Sequence, residues 1–195
     1  GRLLYNPEET NEDLVREFNK RFKKENGEKL FEAYMTASKV PQYIASFYKG
    51  TWDFTLYSEG FLAPWQFGFD DQKSPFISIE ELIKHETLDQ DLLSINEYCK
   101  AINEKQQIAA GKITPIELAQ KVEYYCNRAL NVIGKLRKPE ILPALQSELD
   151  DLETWCYLGF YFTDKIRAGV SLENYRYSKE SKNKDEAIKY LTACL

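Results

Sequence analysis

The sequence predicts an all-α protein, an antiparallel helical bundle interrupted by one long, irregular, aromatic-rich loop. Three observations predict this fold class. Apolar residues recur at alternating spacings of three and four, capping residues precede several of these stretches, and no segment alternates convincingly as a strand would. With 195 residues, of which 43% are apolar and 29% are charged, the chain can bury a sizeable core. We expect residues 1–195 to form a single helical domain.

The first helical patterns precede the aromatic-rich stretch. Thr10 or Asn11 can cap a helix with acids in its first turn, and Gly27 is expected to end it. The next pattern is EKLFEAYMTASKVPQYIASFYKG. Its predicted core stripe consists of Leu30, Phe31, Tyr34, Met35 and Ala37. Pro41 should break or kink this pattern near Lys39, because proline lacks an N–H group and restricts the residue before it. Two helical pieces are expected there.

Helical signals resume after the aromatic-rich stretch. Ser78 and Glu81 in SIEELIKHE have the spacing of a capping box, in which each side chain binds the other residue's backbone N–H. The segment DQDLLSINEYCKAINEK then predicts another amphipathic helix. These signals continue the all-α pattern toward the C-terminal half of the chain.

Two long helices are predicted in the C-terminal half. Thr114 is a typical N-cap, Pro115 suits the first helical position, and Glu117 completes a capping box. The first apolar seam consists of Ala119, Val122, Cys126, Ala129, Ile133 and Leu136. The second consists of Leu145, Leu149, Leu152, Cys156, Gly159, Phe162 and Ile166. We expect the two helices to pack antiparallel, with Cys126 and Cys156 as small core residues.

Composition argues against several function classes. The formal net charge of −5 and the pI near 5.2 do not predict a nucleic-acid partner, which requires clustered basic residues. No apolar run approaches the roughly 20 residues that cross a bilayer. The four cysteines form no CxxC pair, so neither a metal site nor a dense disulfide framework is expected. No phosphate-binding glycine loop or HExxH motif occurs, and no cofactor is expected.

Two polar features have structural interpretations. His85 is the single histidine of the chain and follows a predicted helix, so we expect it near the carbonyls of that helix end rather than in a catalytic triad. Asp150, Asp151 and Glu153 are expected on the solvated face of the last long helical pattern. Neither feature therefore predicts a catalytic residue.

The stretch TWDFTLYSEGFLAPWQFGF, residues 51–69, contains seven aromatic rings that follow neither the helical nor the strand period. Its rings can form an apolar plug on the bundle or a surface for a flat ligand. Asp53 and Glu59 can accept hydrogen bonds from loop amides, or one of them can bind a sugar hydroxyl. A pair of carboxylates among rings can also act as acid and base on a glycosidic bond, although their separation does not follow from sequence.

A second motif lies in WCYLGFYF, residues 155–162. Trp155, Leu158, Gly159 and Phe162 match the opening of a tetratricopeptide repeat, and KDEAIKYLTACL resembles the second helix of that repeat. The intervening polar segment breaks the spacing, and no second copy follows at the 34-residue period of such repeats. The alternative function is therefore a tetratricopeptide-like helical scaffold that binds a protein or peptide in a groove.

The segment GRLLYNPEETNEDLVREFNKRF, residues 1–22, resembles the point in α-glucuronidases and related large bacterial glycosidases where the chain leaves the catalytic (β/α)8 barrel. GEKLFEAYMTASKV, WDF with the following YSEG, and YLGFYFTDKIRAG resemble stretches of the helical domains that follow such barrels. This resemblance implies a non-catalytic accessory domain that packs on the barrel of the same parent chain. It also implies a secreted or periplasmic protein that degrades polysaccharides.

The resemblance places no catalytic carboxylate in this chain, because those residues belong to the barrel. In such enzymes the helical domain can contribute a loop to the rim of the substrate cleft, and the aromatic-rich loop is the candidate for that contact with an oligosaccharide. The candidate substrate-binding residues are Trp52, Tyr57, Glu59 and Trp65, and the candidate plug residues are Phe54, Phe61 and Phe67. Gly1 in place of an initiator Met, and a last helical pattern without a stop signal, lead us to expect a longer parent protein.

Overall fold

The computed structural model describes residues 6, 8–47, 78–138 and 140–194. Within these ranges the protein is built from α-helices without a strand, which confirms the all-α prediction. The helices are α1 (Asn11–Phe22), α2 (Lys24–Ala37), α3 (Lys39–Phe47), α4 (Ile79–Lys84), α5 (Ile95–Asn103), α6 (Pro115–Leu136), α7 (Pro143–Ser178) and α8 (Ser181–Ala193).

The chain divides into two compact units. Unit 1 consists of Gly1–Lys39 and Tyr125–Tyr157, and unit 2 consists of Val40–Tyr124 and Leu158–Leu195. Unit 1 thus contains α1, α2, the end of α6 and the start of α7. Unit 2 contains most of α3, all of α4, α5 and α8, the start of α6 and the end of α7. It also contains the described residues on both sides of the aromatic-rich stretch.

Helix α1 begins as predicted but ends earlier. The Thr10 hydroxyl accepts a hydrogen bond from the Asp13 backbone at 3.2 Å, and the Asp13 carboxylate accepts one from the Thr10 backbone at 2.9 Å. The helix ends at Phe22, and Lys23 makes the turn with a φ of 65°. The prediction that Gly27 ends this helix is wrong, because Gly27 lies inside α2.

Gly27 has a packing role within unit 1. An added Cβ atom would lie 2.5 Å from the Asn19 backbone nitrogen and 2.6 Å from the Phe18 carbonyl carbon. The backbone of α2 therefore contacts that of α1 at a distance that only glycine allows. A sequence rule that treats glycine as a helix stop cannot distinguish this close contact from a C-terminal cap.

The predicted break between α2 and α3 is confirmed. Helix α2 ends at Ala37, and α3 begins at Lys39. Pro41 falls in the first turn of α3, where its missing N–H removes no intrahelical hydrogen bond. The predicted core stripe is wrong at Met35, which is 46% exposed, whereas Leu30 and Ala37 are buried.

Two capping boxes begin the short helices of unit 2. The Ser78 hydroxyl accepts from the Glu81 backbone at 3.1 Å, and the Glu81 carboxylate accepts from the Ser78 backbone at 2.8 Å, as predicted. Ser94 and Glu97 form the same reciprocal pair at the start of α5. Both helices are therefore fixed locally at their N-terminal ends.

All predicted members of the two long seams are buried. The predicted cap is also confirmed, since the Glu117 carboxylate accepts from the Thr114 backbone at 2.8 Å. Within unit 1, Cys126 near the middle of α6 contacts Cys156 of α7, while Arg137 just after α6 binds Asp150 of α7. Later residues of α6 meet earlier residues of α7, so these portions run antiparallel, as predicted.

The core of unit 2 includes a second close contact at a glycine. An added Cβ atom at Gly169 would lie 2.8 Å from the Ile95 Cδ1 atom, which places α7 directly against α5. The Cys99 thiol donates to the Val170 carbonyl at 3.6 Å beside this contact. Gly159 of the predicted repeat-like motif is buried too, and α7 continues past that motif to Ser178.

Candidate functional site

The predicted aromatic site lies in residues 48–77, outside the described residues. Its candidate glycan-binding residues are Trp52, Tyr57, Glu59 and Trp65, and its other members are Asp53, Phe54, Phe61 and Phe67. Their roles stay predictions. The described residues on both sides of this segment belong to unit 2.

Phe47 is the last described residue before the segment, and it is fully buried. Its ring packs edge-on against Phe162, with 5.9 Å between centroids, and against the His85 ring at 4.8 Å. Edge-to-face pairs of this kind favour a fixed ring orientation. The chain therefore leaves α3 from a well-packed position.

His85 contacts the C-terminal ends of two helices, α4 and α3. Its Nδ1 atom lies 2.6 Å from the Leu82 carbonyl oxygen of α4, and its Nε2 atom lies 2.8 Å from the Phe47 carbonyl oxygen of α3. His85 is also the C-cap residue of α4, which confirms the prediction that it lies near the carbonyls of a helix end. Because both ring nitrogens face backbone carbonyls, this imidazole is oriented as a structural bridge.

The protonation of His85 is set by two opposed effects. Burial lowers the pKa of His85 below its ordinary value of 6.5, because it disfavours the charged imidazolium, whereas the hydrogen bonds to Phe47 and Leu82 raise that pKa. Burial is the larger effect, so the ring is neutral near pH 7. A neutral imidazole has one N–H group, so it donates to one of the two carbonyls at a time.

A polar pocket of about 670 Å³ lies directly after α4. It is lined by the end of α4, the loop 86–92, the first turn of α5 and Lys112. The lining residues are Lys84, His85, Glu86, Thr87, Leu88, Gln90, Leu92, Ser94, Asn96, Glu97 and Lys112. All of them belong to unit 2. Because His85 both lines this pocket and contacts Phe47, the pocket adjoins the point where the chain enters the aromatic-rich segment.

Short connections hold the walls of this pocket together. The Ile113 backbone donates to the Asp91 carbonyl at 2.8 Å, and the Leu93 backbone donates to the Ile113 carbonyl at 2.9 Å. The Thr87 hydroxyl donates to the Leu92 carbonyl at 3.0 Å, and the Lys112 ammonium donates to the Gln90 carbonyl. The loop is therefore fixed by backbone contacts on both sides, which favours a preformed pocket.

An ion-pair cluster lies on α4 and α7 of unit 2. Arg176 binds Glu80 and, at 3.1 Å, Glu173. The hydrogen bonds that Arg176 donates to Glu80 lower the pKa of Glu80. The bonds to Glu80 and Glu173 together raise the pKa of Arg176. Glu80 and Arg176 are therefore both ionised at neutral pH, and their ion pair connects α4 to α7.

The acidic residues on α7 have partners that sequence analysis did not identify. Arg137 binds Asp150 at 2.7 Å and also binds Glu153, within unit 1. Asp150 and Asp151 are exposed, as predicted, whereas Glu153 is half-buried beneath the guanidinium. The spacing of these acids along one helix gave no signal of this pairing, because Arg137 lies before the start of that helix.

The four cysteines form no disulfide bond with one another, and three of them are buried. Burial raises the pKa of the Cys99 thiol to about 12, and burial also raises the pKa of the half-buried Cys194 thiol. A hydrogen bond with Cys126 lowers the pKa of Cys156. The burial of Cys126 and Cys156 confirms their prediction as small core residues.

Among the described residues, no cluster of histidine, cysteine or acidic side chains has the arrangement of a metal site. None of the described helices is long and apolar enough to cross a membrane. The described part of the chain offers one concave polar surface in the pocket of unit 2. Gln90, Asn96 and Lys112 in its wall were not identified from sequence. Loop and first-turn positions carry no periodic signal by which their convergence could have been found.

Comparison with known proteins supports the fold. The chain is similar to a solved structure described as a GH138 enzyme targeting pectin rhamnogalacturonan II, with a TM-score of 0.65 and 14% sequence identity. The match covers 98% of this chain but only 28% of that enzyme, so the chain spans little more than a quarter of its length. No protein-family profile and no curated protein matches the chain. The shared feature is therefore the fold of a helical section within a glycoside hydrolase.

Proposed function

We propose that this chain is a non-catalytic helical domain of a glycoside-hydrolase-like protein. In this proposal it packs on a (β/α)8 barrel of the same parent chain and presents the aromatic-rich segment to a glycan. The observation that carries the proposal is the coverage of the structural match, since almost the whole chain corresponds to a minor part of a much longer glycoside hydrolase. A fold alone does not define a function, so the glycan role rests on the chemistry of the segment.

The segment has suitable chemistry for a sugar. Aromatic ring faces pack on the apolar C–H faces of pyranoses, while carboxylates bind hydroxyl groups. Trp52, Tyr57 and Trp65 supply rings, and Glu59 supplies a carboxylate. In this proposal Phe54, Phe61 and Phe67 hold the segment on the bundle. The parent protein acts on polysaccharides in a secreted or periplasmic location.

Tryptophan fluorescence tests the glycan role directly. The chain has three tryptophans, and Trp155 lies on α7, away in sequence from the other two. Pectic oligosaccharides should change the emission of the wild-type chain and of the matched control Trp155→Phe. The response should be lost in Trp52→Ala combined with Trp65→Ala. An unchanged response in that double variant contradicts the role of the aromatic segment.

The accessory role predicts that the purified chain has no hydrolase activity and that its partner is a barrel in the same parent protein. The chain alone should release no reducing ends from pectic oligosaccharides, because the proposal assigns the catalytic carboxylates to the barrel. The reading frame that precedes this segment in the parent gene should encode that barrel. Turnover by the purified chain, or a parent without a barrel, contradicts the proposal.

The second candidate function is a scaffold that binds a protein or peptide. The observation that favours it is on α8, where Ile188 is 52% exposed and Leu191 is 37% exposed, one turn apart on the same face. Helical peptides dock on such apolar positions. A peptide ligand whose binding is lost in Ile188→Asp combined with Leu191→Asp, with the aromatic segment intact, favours this alternative.

A further inference from the structure

The pocket in unit 2 has the size of a small-ligand site. Its volume of about 670 Å³ falls within the roughly 300–1,000 Å³ of ligand pockets. Its polar wall distinguishes it from the mainly apolar pockets that bind flat or hydrophobic ligands. A ligand that fits it must replace the hydrogen bonds that water makes with this wall.

Several polar side chains of the wall are already hydrogen-bonded within the protein. The Ser94 hydroxyl donates to the Glu97 carboxylate at 2.8 Å, and the same carboxylate accepts from the Ser94 backbone. The Thr87 hydroxyl donates to a backbone carbonyl. These bonds shape the pocket, and they already use the O–H donors of Ser94 and Thr87.

Three other side chains keep hydrogen-bonding capacity. The side-chain amides of Gln90 and Asn96 are exposed and make no hydrogen bond within the described part of the chain. Each amide offers one acceptor and two N–H donors. Lys112 donates to the Gln90 carbonyl and retains two further N–H groups. Donors and acceptors therefore line the same pocket, as hydroxyl groups on one ligand require.

The charge of the wall is balanced. Lys84 and Lys112 carry positive charges, Glu86 and Glu97 carry negative charges, and His85 is neutral near pH 7. Lys84 also lies 3.7 Å from the Glu80 carboxylate on α4. A balanced wall gives no net attraction for an anion or a cation, which favours an uncharged ligand.

Two leucines complete the wall, of which Leu92 is buried and Leu88 is exposed. Leu88 is 59% exposed at the edge of the pocket. An exposed leucine beside uncommitted amides suits a ligand with both a C–H face and hydroxyl groups. Among common small metabolites, a pyranose ring has both features.

We propose that this pocket is a binding subsite for one or two neutral sugar units, with Gln90, Asn96 and Lys112 binding hydroxyl groups and Leu88 contacting the ring. The proposal rests on the proposed function, because it gives the helical domain a second contact with glycan in addition to that of the aromatic-rich segment. It differs from that function in its residues, all of which lie outside residues 48–77.

Amide chemical shifts of the 195-residue chain test the subsite. D-galactose and D-galacturonate differ at one carbon, so they separate a neutral from an anionic preference. At about 50 mM, well above the millimolar range of weak binding, galactose should shift the amides of residues 84–97 and 112. Galacturonate should bind no more tightly than galactose. A stronger effect of galacturonate overturns the assignment to neutral sugars.

A double variant identifies the residues responsible. Asn96→Ala combined with Lys112→Met should weaken galactose binding about tenfold, as the loss of two hydrogen bonds implies. The matched control is Asn127→Ala combined with Lys135→Met, since both residues are exposed on α6 away from this pocket. The control should bind as the wild type does. Equal affinity of the two double variants overturns the proposal, provided that both keep the wild-type spectrum elsewhere.

The outcomes also separate this proposal from the proposed function. Sugar-dependent shifts confined to the tryptophans of residues 51–69 support the aromatic site and overturn the subsite. Shifts in the pocket that persist in Trp52→Ala combined with Trp65→Ala support the subsite as a contact independent of the aromatic segment. An absence of shifts in the pocket at every sugar concentration overturns the subsite whatever the aromatic segment does.

Discussion

The two units differ in what their polar side chains bind. In unit 1, the Tyr34 hydroxyl donates to Glu148, and Arg137 binds Asp150. These pairs connect helices of the same unit. In unit 2, the side-chain amides of Gln90 and Asn96 face a pocket and make no hydrogen bond within the described part of the chain. The difference concerns the pocket wall alone, since unit 2 also has polar pairs between helices, such as Arg176 with Glu80.

The units also differ at their close-contact glycines. At Gly27 in unit 1, an added Cβ atom meets backbone atoms of α1, which cannot move without shifting the helix. At Gly169 in unit 2, it meets the end of the Ile95 side chain, which can adopt another rotamer. Unit 1 should therefore tolerate change less well than unit 2 at equivalent positions.

The largest expected effect is in the apolar core of unit 1. Leu149 is fully buried, so Leu149→Ala should lower the free energy of unfolding by about 2–5 kcal/mol through lost burial and a cavity. The control Leu142→Ala removes a side chain that is 48% exposed and should cost much less. Urea titration measures both. Similar losses in the two variants contradict the assignment of Leu149 to the core.

The glycine comparison can be tested with three matched substitutions. Gly27→Ala should destabilise the protein by about 1–3 kcal/mol, because backbone atoms must shift. Gly169→Ala should cost less, since a side-chain end can move. At Gly134 on α6 an added Cβ atom has no neighbour within 4 Å, so Gly134→Ala should stabilise the protein by about 0.5–1 kcal/mol. Thermal unfolding ranks the three variants by stability. If Gly169→Ala destabilises the protein more than Gly27→Ala does, the contrast between the two glycines is contradicted.

The histidine of unit 2 should make stability depend on pH. The folded state lowers the pKa of His85, so at acidic pH the unfolded state binds the proton more readily. The contribution of His85 is therefore present above pH 6.5 and is lost as the pH falls through the lower, folded pKa. Urea titrations at about pH 7.5 and about pH 5.5 should show a smaller free energy of unfolding at the lower pH.

His85→Ala provides the control for this dependence. It should lower stability at neutral pH by about 1–2 kcal/mol, because the Phe47 and Leu82 carbonyls lose a donor. It should also reduce the loss of stability between the two pH values. Since His85 is the single histidine of the chain, its ring signal can be followed directly by NMR. A titration midpoint at or above 6.5 contradicts the lowered pKa.

The smallest expected effect is at the ion pairs of unit 1. Arg137 is partly exposed, so Arg137→Met should cost only about 0.5–1 kcal/mol, and less at high salt. The substitution keeps much of the aliphatic stem and removes the charge. Denaturant titrations at low and high salt provide the measurement. A loss as large as that of Leu149→Ala would show that this surface pair contributes more than exposed pairs usually do.

Local signals in the sequence predicted the helices well. Thr10, Ser78 and Thr114 form the predicted caps, and the break near Lys39 is present. These features depend on residues three or four positions apart, whose contacts form within one helix. Gly27 was predicted wrongly because glycine occurs both at helix ends and at close contacts between helices. Met35 was predicted wrongly because neighbouring helices decide which residues of an apolar stripe are covered.

The candidate site was less accessible to sequence reasoning. The aromatic-rich segment was identified by composition alone, and its residues stay a proposal. The pocket depends on Lys112 meeting the Gln90 carbonyl 22 positions earlier and on His85 meeting the Phe47 carbonyl 38 positions earlier. Neither contact has a spacing that a local rule can recognise.

By itself, the amino-acid sequence determined the helical class, most helix boundaries and the buried faces of α6 and α7, because hydrophobic period and capping act over a few residues. Only the tertiary structure decided which polar groups pair and which remain available. Tyr34 meets Glu148 across 114 positions, whereas the side chain of Asn96 meets no partner in the described residues. The physical reason is that hydrogen bonding between distant residues depends on how helices pack, which no local pattern encodes.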